Sequence, residues 1–169
     1  MLLYRVNPMA LERIAVQRTI HASPTSIFKF LSDPDGHVTI DSSGMLMSAE
    51  GDKVTGVGDT FTVHMNREAL NDYPLGLYDV VVTITKFVED REMAWTVAGV
   101  VRPPIGHVYG YLLEPLEDAT LVTSYCDWSD ISPEWKEAGI FPVISEAALR
   151  ATLGILERTV TRGGTASSD

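Results

Sequence analysis

The 169-residue chain has one cysteine, four histidines, no long apolar run, and fewer basic residues than acidic ones. Each shortage excludes something. A single thiol, Cys126, rules out an internal disulfide framework and fits a reducing cytoplasm. It lies in a strand-like run, where a buried, inert thiol is expected rather than a nucleophile. His21, His37, His64 and His107 show neither HxxxH nor HxH spacing, so no metal site is expected, and no other cofactor. No apolar stretch approaches the roughly 18 residues of a membrane span. The opening MLLYRV is too short and too soon interrupted for a secretory signal. The expectation is a soluble, cytoplasmic protein.

Positive charge is also scarce: Lys+Arg is 13 against Asp+Glu 23, a net of −10. The acids are scattered, which reads as a solvated surface. Such a surface offers nucleic acid no basic footprint and anionic lipid no attraction, so neither nucleic-acid binding nor stable membrane association is expected. Phosphate-binding signatures are missing as well. Gly56-Val57-Gly58 is a turn leading into a strand and lacks the helix a dinucleotide site requires. No GxSxG elbow occurs.

What remains is an ordinary globular composition with 45% hydrophobic residues, enough for one domain over 1–169 with a core of about 11–162. Residues 1–10 read as a lead-in and 163–169 as a disordered tail. Ser145 to Thr161 is the clearest helix. Leu149, Leu153, Leu156 and Val160 recur at helical spacing, and Ala148, Ala151 and Ile155 widen the face. Before it the pattern is mostly strand. Leu11–Ala22 alternates up to Ser23-Pro24, which caps a short helix through Leu31. Asp33-Pro34-Asp35-Gly36 breaks that helix, with one more turn over His37–Asp41. Strands follow at 45–50, 59–66, 77–88, 93–98, 106–114 and 120–128, joined by short turns. Ser132-Pro133-Glu134 opens a helical entry to the final helix. Short connections imply an antiparallel sheet of about seven strands with helices on one face, an α+β fold.

The run Ile20-His21-Ala22-Ser23-Pro24, Ile27-Phe28, Leu31 and Asp33-Pro34 resembles the opening of the START-like (SRPBCC) superfamily. That group includes polyketide cyclases and dehydrases, lipid-transfer domains and birch-pollen allergens. Gly58 with Phe61, Ala94-Trp95, Tyr111 with Leu113 and Pro115, Ala119-Thr120 with Val122-Thr123, and the leucines of the last helix agree with it. These are mostly packing and turn positions, which specify fold rather than activity. The resemblance implies a helix-grip fold, a curved antiparallel sheet wrapped around the C-terminal helix with a cavity between them. Ala147, Ala148, Ala151, Thr152 and Gly154 leave much of that helix small, either for a cavity or for close packing.

Several residues are candidates for the site. His37 and Asp41 stand four apart, a spacing that puts imidazole and carboxylate on one helical face as an acid/base pair. HVTIDSSG resembles a family stretch bordering the cavity entrance; the other reading is a capping Asp and a surface His. His107, Tyr109 and Tyr111 share a strand face suited to binding a carbonyl or hydroxyl, unless His107 sits in solvent at the strand end. Met65, Tyr78 and Trp95 lie on apolar strand faces, and in this fold core and cavity wall are one surface. Tyr125 is a further candidate, although the alternation does not say whether Tyr125 and Asp127 or Cys126 and Trp128 point inward. Ala148, Ala151, Thr152 and Ile155 would form the helical side. Cyclase relatives are thought to place arginine deep in the pocket; Arg67 ends its strand and Arg102 sits in a proline loop, so neither clearly qualifies. The expected function is binding of a hydrophobic, cyclic small molecule, with polyketide cyclase/dehydrase-like chemistry as its enzymatic version. The alternatives are a lipid carrier gated by loops 68–76 and 99–106, or an interaction module with a filled cavity. Ligand identity, pathway and oligomeric state are not encoded legibly.

Overall fold

The computed structural model of the chain describes residues 12–163. The expected lead-in, and all of the expected tail except Gly163, lie outside them.

β1 (Arg13–Ile20) runs into two short helices, α1 (Pro24–Leu31) and α2 (Pro34–Ile40). Six strands follow: β2 (Leu46–Glu50), β3 (Thr60–Asn66), β4 (Leu77–Val88), β5 (Glu92–Ala98), β6 (Val108–Pro115) and β7 (Thr120–Asp127). A 3-10 turn, Arg67–Leu70, sits between β3 and β4. α3 (Pro133–Ala138) and the long α4 (Glu146–Gly163) complete the chain.

The local starts follow from side-chain chemistry. The Ser23 hydroxyl accepts from the Ser26 amide at 3.1 Å, and Pro24 opens α1 where no amide hydrogen is needed. Asp33-Pro34 repeats the device: the Asp33 carboxylate accepts from the Asp35 amide at 3.1 Å. The Asp-Pro-Asp-Gly stretch therefore ends one helix and begins the next, so α2 starts three residues before His37. Gly36 is obligatory there, because a Cβ would overlap the Phe30 carbonyl.

The seven strands form one antiparallel sheet in the order β1-β7-β6-β5-β4-β3-β2. Consecutive strands from β2 to β7 are neighbours, while β1 pairs with the last strand, β7, and α1 and α2 carry the chain from one edge to the other. Register builds one continuous inner face. Tyr78 stands opposite Met65, Val80 opposite Val63, and Val82 opposite Phe61 and Val97. Trp95 stands opposite Ile84 and Tyr109, and Tyr111 opposite Met93 and Ser124. An irregularity between Ile84 and Lys86 inserts one residue, so Phe87 also turns inward and meets Phe28 edge-on at 5.3 Å.

α4 lies across β1 and β7 and touches α1 and α2. Leu149, Leu153 and Leu156 are its buried residues and join the apolar cluster of Val16, Ile20, Ile27 and Leu31. This is an α+β helix-grip arrangement.

Candidate functional site

A cavity of about 550 Å³ lies between the inner face of β3–β6 and the helical layer. Its floor is Phe61, Val63, Met65, Val80, Val82 and Val97. Tyr78, Trp95, Tyr109 and Tyr111 form an aromatic flank. α2 and its exit supply His37 and Asp41, α4 supplies Leu149 and Thr152, and the loops after β3, after β5 and before α4 surround the mouth. The volume lies within the range of small-molecule sites, which are mostly apolar with few polar groups. This open volume does not favour the alternative of a cavity filled by side chains.

His37 is buried, and its Nε2 lies 2.7 Å from the Leu31 carbonyl oxygen. Burial lowers its pKa to about 4, with the Leu31 bond opposing only in part. Its ring packs on Phe61 and edge-on to Trp95, with centroids 5.2 and 4.9 Å away. Asp41 follows the last helical residue and has extended ψ, 128°, so its side chain has left the helical face. Its carboxylate accepts from the Ser43 amide and hydroxyl, the Gly44 amide and the Leu46 amide. The expected pair is therefore not hydrogen-bonded: both residues border the cavity, but each is committed to local backbone.

His107, just before β6, is not in solvent. It is 7% exposed, packed against Tyr109 at 5.4 Å and Phe141 at 4.7 Å. Its Nδ1 is sealed without a hydrogen-bond partner, and burial pushes its pKa down to about 4. The Tyr109 hydroxyl meets Cys126 and that of Tyr111 meets Ser124; burial raises both phenols above their ordinary range, so both stay protonated. Burial also raises Cys126 to about 12. Met65, Tyr78 and Trp95 border the cavity as well.

Three helix candidates and one strand candidate do not contribute side chains as expected. α4 turns about 100° per residue, so Ala151 stands roughly 160° from Leu149; it is exposed. Ala148 and Ile155 flank the buried face. The Ala148 carbonyl accepts from Ser42 Oγ at 2.6 Å, which in turn accepts from Thr152 Oγ1 at 2.9 Å. Ile155 packs on the core, and neither it nor Ala148 borders the cavity. Thr152 does, as does Leu149. Tyr125 borders the cavity, as expected, but its register partner is Gly110, so its side chain lies on the opposite face from those of Tyr109 and Tyr111. Its ring covers Gly110 on the outer surface and lies under the Arg13 guanidinium, 4.2 Å from the ring centroid.

Arg67, which does not clearly qualify from the sequence because it follows the end of its strand, is in the site. It is buried, borders the cavity, and forms a two-point pair with Asp72, Nε to Oδ1 and Nη2 to Oδ2 each at 2.7 Å. The guanidinium also lies over Tyr73. The legible signal was the acid five residues on, across a turn that Asn71 makes with positive φ. Arg102 is exposed. Among the described residues no group of His, Cys, Asp and Glu is placed to hold a metal ion, and no helix is long and apolar enough to cross a membrane.

No family model and no curated protein matches the chain. Solved structures do. An AHSA1-like protein from Aeromonas hydrophila is 16% identical with a TM-score of 0.58, covering 93% of this chain and 97% of that one. The Aha1 dimer of Colwellia psychrerythraea is 20% identical with a TM-score of 0.58, covering 89% and 96%. A point mutant of norcoclaurine synthase from Thalictrum flavum, in complex with a transition-state analogue, is 17% identical with a TM-score of 0.61, covering 90% and 96%. At such identities the likeness concerns architecture, and it extends over nearly the whole of each chain. The chain shares the helix-grip fold of these structures.

Proposed function

We propose that this protein binds a hydrophobic, cyclic small molecule in the cavity between sheet and helices. The observation that carries the reading is the open volume of about 550 Å³ with an aromatic flank and a few convergent polar groups. A well-packed domain has few voids larger than a water molecule, so a space this large costs packing energy unless something occupies it. That one similar structure holds a transition-state analogue supports a small molecule as the kind of ligand. Acid/base catalysis of a cyclase or dehydrase kind has weaker support. Asp41 accepts four hydrogen bonds from its own loop, and His37 is held neutral by burial.

N-phenyl-1-naphthylamine, a neutral fluorophore that brightens in apolar surroundings, tests the reading. It should bind the wild-type protein and be excluded by Val97→Trp, which fills the floor. Equal binding to both proteins, or none to the wild type, would refute occupancy of this cavity.

One observation favours a carrier within the same reading. Tyr73, Leu75 and Val100, on the two loops at the mouth, are 51%, 43% and 59% exposed. Apolar residues at a rim can contact a membrane or donor protein during transfer. Flotation with neutral phosphatidylcholine vesicles should carry the wild type upward and leave a Tyr73→Ser/Leu75→Ser/Val100→Ser variant behind; no flotation of the wild type refutes the carrier.

A further inference from the structure

A neutral imidazole has one N–H and one lone pair, so the role of one nitrogen fixes the other. A carbonyl oxygen only accepts; His37 Nε2 must therefore carry the proton that Leu31 receives, and His37 Nδ1 presents a lone pair. In His107 the constraint comes from the opposite direction. Its Nδ1 is, among the described residues, the one sealed side-chain nitrogen or oxygen without a partner. Orphaned buried N–H groups are rarer than under-satisfied acceptors, which places the His107 proton on Nε2. Among the described residues His37 Nδ1 and His107 Nε2 have no hydrogen-bond partner and are not sealed, and both rings border the cavity. Burial keeps both rings neutral at pH 7. The cavity thus offers one acceptor and one donor.

The two are connected by a single aromatic wall. Trp95 meets His37 edge-on at 4.9 Å, lies nearly parallel to Tyr109 at 6.2 Å, and Tyr109 meets His107 at 5.4 Å. Trp95 and Tyr109 are direct cross-strand partners, so the sheet register holds this wall in place. Charge is satisfied internally. Arg67 is neutralised by Asp72, and the Asp41 carboxylate is covered by its loop. An acidic ligand finds no free cation there, and the Asp41 oxygens are already occupied by hydrogen bonds of their own loop.

We propose that the cavity selects a rigid, flat, uncharged hydroxy-ketone, its hydroxyl donating to His37 Nδ1, its carbonyl accepting from His107 Nε2, and its body lying along Trp95 and Tyr109. This rests on the small-molecule reading above and adds the polarity and orientation of the ligand.

Estrone, a four-ring molecule with a hydroxyl at one end and a ketone at the other, is a suitable probe, together with its 3-deoxy and 17-deoxo analogues and the parent hydrocarbon. Calorimetric titration of the wild type should show that losing either oxygen weakens binding about five- to tenfold, as for one net hydrogen bond. In His37→Phe the 3-deoxy penalty should vanish while the 17-deoxo penalty remains, and in His107→Phe the pattern should reverse. Nitrogen-15 spectra of the two imidazoles in the unliganded protein should show both as Nε2–H tautomers, a readout that needs neither variant nor ligand. A proton on His107 Nδ1, a parent hydrocarbon that binds as tightly as estrone, or penalties that survive in both variants would each overturn the inference. Failure of estrone to bind while N-phenyl-1-naphthylamine still does would overturn the hydroxy-ketone and leave hydrophobic binding standing. Failure of both probes would overturn both readings.

Discussion

Acid should unfold this protein through its two buried histidines. An ordinary imidazole titrates at 6.5, whereas burial holds His37 and His107 at about 4 in the folded protein. As the pH falls below 6.5 the unfolded chain takes up protons that the folded chain refuses. Stability is therefore fully present above 6.5 and is lost as the pH falls towards 4. At about pH 5 the gap from 6.5 is about 1.5 units, and each unit is worth about 1.36 kcal/mol, so each ring costs about 2 kcal/mol. For two rings that is about 4 kcal/mol, a large part of a typical domain's stability. The depressed carboxyls of Asp59, Asp72 and Asp127 begin to matter only at lower pH. His64, raised chiefly by its hydrogen bond to Asp79, acts in the opposite sense on the exposed outer face. The clean comparison is therefore between wild type and His107→Phe, by urea denaturation at about pH 7.5 and about pH 5. Phenylalanine keeps the packing on Tyr109 and Phe141 and removes the unpartnered nitrogen. The variant should match or exceed wild-type stability at the higher pH, and its loss on acidification should be smaller by about 2 kcal/mol. An acid-induced loss equal to that of the wild type would refute the assignment of His107 as a buried neutral ring.

Three other perturbations probe the framework. Gly110→Ala should destabilise by about 1–3 kcal/mol, because the new methyl meets the Tyr125 ring, and most of that cost should disappear in a Tyr125→Ala background when the two are compared by denaturant unfolding. Asp72→Ala should cost about 1 kcal/mol, a figure kept low because Asp72 is about a third exposed, and should speed hydrogen exchange of the amides in 71–76 through loss of the Arg67 pair. Cys126, sealed and with its thiol raised to about 12, should resist an aromatic disulfide reagent in the native protein and react at once in denaturant; fast native reaction would mean that β7 is more open than described.

Two-residue alternation locates the seven strands and groups Tyr109 and Tyr111 on one face, because the side-chain period of a strand is two. Ser23-Pro24 marked α1 through a cap that acts within four residues. The leucines at 149, 153 and 156 marked the buried face of α4, since apolar spacing in a helix records what it packs on. All of these are local. The remaining features depended on partners distant in the chain. Tyr125 and Cys126 alternate equally well in either sense, and it is pairing of Cys126 with Tyr109 that sends Tyr125 outward over Gly110. Ala151 looked like part of a small-residue face, but the docking of α4 on β1 and β7 turned it to solvent. Arg67 became a cavity residue because a loop folds back to bring Asp72 to its guanidinium. The i,i+4 spacing of His37 and Asp41 allows either a contact on one helical face or a capping Asp, and Asp41 leaves the helix to hold the next turn. Burial of His107 came from Phe141, more than thirty residues later. Periodicity specifies which side of an element is apolar; only closure of the sheet on its helices decides what each polar group on that side must face.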